Sequence, residues 1–272
     1  MTNGNRKHLW HGNEAVKKAS HMILELEDVN NLQVAEWIEY DDVNLLEKCS
    51  KPHKKTLLHD YIEFIYYTQY EYTLDKHFPM NVINQFIELL EFYQIDYTEI
   101  GKFEHVGCTD DDLNAEEHSE AELYADKLFI FFKEKLGPLI IDDIFTVLFA
   151  NKHFLFEFNR QLMDLIQELA IENHPEYLKK DGVIKRCDYI PQWLKRGVFM
   201  RDKGRCQICG TDLKRILQLD NKENYDHIIP LERGGINDPT NFQLACEHCN
   251  KSKGARSMTF NSLATRFWDI ES

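Results

Sequence analysis

Two closely spaced cysteine pairs, Cys206-Gln-Ile-Cys209 and Cys246-Glu-His-Cys249, carry the most demanding side-chain chemistry in the 272-residue chain. Thirty-six residues separate them. A two-residue gap lets one tight turn present both sulfurs of a pair to the same ion. Four thiolates complete the closed tetrahedral site that zinc takes where its role is structural. Two disulfides or four unrelated cysteines are the alternatives, and the spacing favours metal. Between the pairs stand Asp226-His227, Gly234-Gly235 and Asn241, and Asn250 follows the last cysteine.

Taken together, D-H-I-I-P-L, then G-G, then N-F-Q-L-A-C, then C-N-K-S-K-G resembles the HNH endonucleases, in the branch whose fold is stapled by a four-cysteine zinc. The preceding R-D-K-G-R-C-Q-I-C-G is similar to the usual entry of that module. The resemblance spans about residues 189–258. Its last position is Asn250 in place of histidine, which makes the pattern H-N-N and suits a hard, oxygen-bound cation.

This resemblance implies hydrolysis of a phosphodiester in DNA. The reaction needs an activated water, neutralisation of charge on the transition state, and help for the leaving oxygen. An imidazole titrates near neutral pH, so His227 suits the general base. A divalent cation suits the other two tasks. Asp226 and Asn250 offer oxygen ligands, which favours magnesium or manganese. The resemblance further implies that Asn241 supports His227 from the connecting loop. Lys253 shares a helix face with Asn250. Lys253, Arg201 and Arg205 are the expected phosphate contacts. The alternative function is a zinc-bound nucleic-acid-binding module without catalysis, and the joint presence of Asp226, His227, Asn241 and Asn250 favours the enzyme.

The elements expected to hold these residues are a two-stranded hairpin, carrying Asp226-His227, and a helix starting near Cys246. Adjacent strand residues point to opposite faces. Asp226 and His227 can therefore serve one phosphate only if the strand ends or bends there. A module of some fifty residues buries too little surface to be stable alone, so zinc is expected to contribute folding energy. Ahead of it, Ile190–Met200 reads as a short helix.

From Glu14 to about Asn173 the apolar spacing is helical throughout, with Met22, Leu24, Leu26, Val29, Leu32, Val34, Ile38 and Leu45 opening it. Aromatic residues crowd Thr56–Tyr72, Pro79 stands at a helix start, and Gly137-Pro138 closes a helix over Glu116–Leu136. Asp110-Asp111-Asp112 reads as a solvated loop. The expected fold is mainly α: an acidic helical domain over 1–182, then a small ββα-metal (HNH) nuclease domain over 183–272.

The net charge of −14 is divided unevenly. Residues 183–272 hold fifteen basic and eleven acidic side chains, a balance of +4, which leaves −18 for residues 1–182. Phosphate attraction therefore belongs to the last third. The acidic region is expected to build a homodimer or dock a protein partner, with a two-fold dimer the simplest way to set two sites on opposite strands. No apolar run approaches a membrane span, and Met1–Trp10 lacks the apolar centre of a signal peptide. Zinc-type cysteines fit a reducing cytoplasm. Restriction or phage defence is the setting the family's associations suggest.

Overall fold

The computed structural model describes residues 12–27, 33–40, 44–213, 223–254 and 257–258. Val29, Leu32 and Met1–Trp10, read above, lie outside the described residues. The fold is mainly helical, with a small C-terminal region built on two strands. No helix among the described residues is long and apolar enough to cross a membrane.

The chain forms two compact units, and they do not divide at residue 182. One comprises residues 1–19 and 62–146; the other comprises 20–61 and 147–272. The expected boundary fails because the helices flanking the first unit in sequence pack with the nuclease region. The chain passes between units within α1 (Gly12–Glu27), α4 (Leu57–Asp75) and α7 (Gly137–Ala150).

In the first unit, α5 (Pro79–Phe92) packs against α6 (Ala115–Lys135). Both start as their sequences require. Pro79 occupies the first turn of α5, where its missing N–H costs nothing. Asn114 caps α6 in a reciprocal box with Glu117. The aromatic run of α4 forms core: Phe86 and Phe132 stack at 4.0 Å between ring centroids, and Tyr70 lies 4.7 Å from Phe86. Asp110–Asp112 is a 3-10 turn, not the expected loop. Asp112 accepts from Thr109, and Asp110 accepts from the Met80 N–H at 3.0 Å. Acidic residues suit that place because the first N–H groups of a helix have no internal partner.

In the second unit, α2 (Gln33–Tyr40), α3 (Leu45–Ser50) and the start of α4 accompany α8 (Lys152–Gln167). Trp37, Tyr61 and Phe158 form its aromatic core, at centroid distances of 5.4 and 5.5 Å. Then come β1 (Leu178–Lys180) and β2 (Val183–Ile184), an antiparallel pair around Asp181-Gly182. That dipeptide is a hairpin signal. After α9 (Gln192–Arg201), the antiparallel pair β3 (Glu223–His227) and β4 (Phe242–Cys246) and the helix α10 (Glu247–Lys253) complete the expected ββα arrangement.

One side of α8 carries contacts to the first cysteine turn and to the β3–β4 connection. Lys152, Asn159 and Gln167 recur at roughly two-turn intervals. Lys152 Nζ donates to Gln207 at 2.9 Å, Asn159 Nδ2 to the Thr240 hydroxyl at 3.2 Å, and Gln167 Nε2 to the Arg233 carbonyl at 2.7 Å. Gly234 packs on the same helix at φ +89°, where a Cβ would meet the Met163 carbonyl at 3.1 Å. Asp238, fully buried, accepts from the Leu57 N–H at 2.9 Å and so caps α4. Asp238→Ala removes that cap, orphans the Thr240 amide and takes one of the Thr240 hydroxyl's partners. It is expected to destabilise the protein by about 1–3 kcal/mol in chemical denaturation; an unchanged midpoint would contradict this account.

Candidate metal centre and catalytic cleft

The first cysteine pair sits in a tight turn. Cys206 N–H donates to the Thr211 carbonyl and Gly210 N–H to the Cys206 carbonyl, both at 2.8 Å. Gly210 adopts φ +78°, the left-handed conformation that glycine tolerates best. The second pair opens α10, with Cys246 at the N-cap. Gln207 N–H donates to the Leu244 carbonyl at 2.8 Å, bringing the first turn against β4.

The four sulfurs thereby lie within 4.8 Å of one another, and Cys209 and Cys246 are 3.9 Å apart. None is in a disulfide. An ion bound tetrahedrally to four thiolates at about 2.3 Å requires sulfurs about 3.8 Å apart, so the donor set fits zinc in both number and spacing.

On the opposite edge of the hairpin, β3 ends at His227, as the chemistry requires. Asp226, His227 and Asn250 line one cleft of about 320 Å³, together with Arg186, Glu232 and Gly254. His227 is only 2% exposed and packs on Phe242, with ring centroids 4.5 Å apart. Its Nε2 lies 3.2 Å from Asn237 Oδ1. The orientation of that amide is fixed, because Nδ2 donates to the Ser50 and Lys185 carbonyls at 3.0 and 2.8 Å. Nε2 is therefore the protonated nitrogen and Nδ1 carries the lone pair. Burial, followed by the field of Arg186, lowers the His227 pKa to about 3. At neutral pH the ring is the free base.

Asn241 does not touch the imidazole. Its Oδ1 accepts from the Ile229 N–H at 2.8 Å, and its Nδ2 donates to the Ile229 and Ile236 carbonyls, both at 2.9 Å. It clamps the backbone just beyond His227. The side chain in direct contact is Asn237, which sequence reading missed. Asn237-Asp238-Pro239 signals a turn, but nothing local signals partners at residues 50 and 185.

The expected phosphate contacts are otherwise engaged. Lys253 Nζ lies 2.6 Å from Asp226 Oδ2 and also donates to the His227 carbonyl. Its side chain is 2% exposed. Arg201, 3% exposed, forks onto Asp202 at 2.8 and 3.1 Å and donates to the Phe242 carbonyl. Asp202 in turn accepts from the Leu244 N–H at 2.7 Å, so this pair locks the end of α9 to β4. Arg205 is partly buried, and its backbone bridges Asp212. His248 is exposed on α10.

Among the described residues, the contacts to the Asp226 carboxylate, from Lys253 and from Gln243 at 3.3 Å, fall on Oδ2 and leave Oδ1 without one.

Metal analysis of purified protein is expected to find one ion per chain at the four cysteines. Cys206→Ser or Cys249→Ser should lose it and expose residues 206–254 to limited proteolysis, since such sites contribute roughly 10 kcal/mol or more to isolated zinc modules. A metal-free protein with wild-type protease resistance would overturn the assignment.

Residues 206–256 match the family model described as HNH endonuclease. No curated protein and no solved structure matches the chain. With four cysteines placed for metal and a ββα frame, residues 206–256 are an HNH endonuclease domain, joined to a helical region that no family model matches.

Proposed function

We propose that the protein is a metal-dependent DNA endonuclease with His227 as general base. The observation that carries this reading is the convergence of Asp226, His227 and Asn250 on one cleft, with the imidazole unprotonated. An inert binding module would need neither a buried free-base histidine nor oxygen ligands beside it.

Magnesium or manganese, held by Asp226 Oδ1 and Asn250, would supply Lewis-acid stabilisation of the phosphate and the leaving oxygen. The protein's own groups do the rest. His227 takes the proton of the attacking water at Nδ1. Asn237 holds Nε2–H and stabilises the imidazolium so formed. Lys253 holds Asp226 through Oδ2 and so leaves Oδ1 free to face the cation. Asn241 fixes the backbone that aims the imidazole. Zinc at Cys206, Cys209, Cys246 and Cys249 is structural, tying the first turn to α10.

His227→Ala is expected to lower magnesium-dependent nicking of plasmid by roughly two to four orders of magnitude. Zinc content and duplex affinity should stay near wild type. Asn250→Ala should raise the magnesium concentration needed for half-maximal rate. A His227→Ala protein as active as wild type would rule out the base.

The reading extends to assembly and setting. One HNH module cuts one strand, and the −18 balance of residues 1–182 makes that region unsuited to hold DNA unaided. We assign it to self-association as a two-fold dimer, or to docking of a protein partner. Light scattering at micromolar concentration is expected to give a dimer mass. A monomer, with no change on adding DNA, would favour the partner. Thiolate ligation fits a reducing cytoplasm, and restriction or phage defence is the setting this activity suits.

A further inference from the structure

Arg186 lines the cleft with His227, Asp226 and Asn250, although it lies twenty residues before the first metal-site cysteine and outside the matched HNH segment. It sits just past β2, in a stretch held at three points. Lys185 N–H donates to the Tyr177 carbonyl at 2.9 Å, extending the β1–β2 pairing. Asn237 then brackets Arg186 itself: its Nδ2 donates to the Lys185 carbonyl at 2.8 Å, and its Oδ1 accepts from the Cys187 N–H at 3.4 Å. The same Oδ1 holds His227 Nε2. One buried amide therefore sets the arginine backbone and the imidazole in a fixed relation.

Among the described residues, Lys253, Arg201, Lys179 and Lys180 are each committed to a partner. Lys253 is bound to Asp226 and to the His227 carbonyl, and Arg201 is forked onto Asp202. Lys179 and Lys180 both reach Glu232, at 2.7 and 2.9 Å. Arg186 is exposed and forms no ion pair among the described residues. Among the described residues, an anion entering the cleft meets one uncommitted guanidinium.

We propose that Arg186 is a catalytic residue that binds a non-bridging oxygen of the phosphodiester being cleaved, recruited to the site from outside the HNH segment. A guanidinium is always charged and its planar fork matches two phosphate oxygens, so it can follow the charge that grows on them during attack. Its field already reaches the imidazole, where it is the largest influence after burial. The proposal rests on the nuclease reading for the word catalytic, but phosphate binding by Arg186 can be measured without cleavage.

The test compares wild type, Arg186→Gln, Arg186→Lys and His227→Ala in two assays: binding of a short labelled duplex in EDTA over a salt series, and nicking of plasmid with magnesium or manganese. Circular dichroism and zinc content are checked for each, and the exposed guanidinium makes loss of fold unexpected. Arg186→Gln is expected to bind more weakly, with a salt slope shallower by about 0.9, the loss of one phosphate contact. It should also nick about a hundredfold or more slower. Arg186→Lys should restore the slope and only part of the rate, because an ammonium lacks the fork. His227→Ala should keep the wild-type slope and not nick. An unchanged slope in Arg186→Gln overturns the proposal, as does a wild type that binds no duplex even at low salt. If wild type binds but never nicks, while Arg186→Gln still loses slope, the nuclease reading fails and the phosphate contact stands.

Discussion

Asn237 is the constraint on which the site depends. It is fully buried, and its backbone N–H and both side-chain polar atoms are bonded. Its N–H donates to the Cys49 carbonyl at 2.9 Å, and its Nδ2 donates to Ser50 and Lys185. Its Oδ1 accepts from His227 and Cys187. A buried amide with any of these partners missing would lose about 1–3 kcal/mol, so all of them must be in place together. Satisfying it joins the end of α3, the segment after β2 and the His227 imidazole at one point. The geometry of the cleft is thus set by residues that a reading confined to the HNH segment would not include.

The electrostatics follow from the same packing. Burial strips the imidazole of solvent, and the cations Arg186 and Lys253 stand near it, so the neutral ring is strongly favoured. The Lys253–Asp226 pair is nearly dry, with side-chain exposures of 2% and 14%. Such a pair contributes little net stability against its desolvation cost. Its visible effect is orientation: it leaves one carboxylate oxygen facing the cleft. Arg201 and Asp202 do the corresponding task for the frame, where a buried bidentate fork also satisfies a β4 amide.

What was legible in the sequence is what short-range spacing encodes. Cys206, Cys209, Cys246 and Cys249 declare themselves because ligands on tight turns need two-residue gaps. Asp226-His227 at a strand end, and α10 from Cys246, follow from the same segment. Helix starts at Pro79 and Asn114 are local chemistry as well. Charge alone misled. Arg201 and Lys253 looked like cations available to DNA, yet each found a carboxylate, one adjacent in sequence and one 27 residues away. Asn237 was invisible because its partners lie up to 187 residues distant. The unit boundary was hidden for the same reason, since charge and helix content change near residue 182 while packing does not.

The second unit is discontinuous: residues 20–61 must meet residues 147–272 across 85 residues that belong elsewhere. On a ribosome adding roughly 5–20 residues per second, its first piece emerges well before its second and cannot bury Trp37 and Tyr61 in the meantime. The ring contact of Tyr61 with Phe158 and the cap from Asp238 to Leu57 both await the later piece. A chain interrupted during synthesis would therefore have no assembled cleft. The cleft is thus one of the last features of the protein to form, whatever the order in which its helices fold.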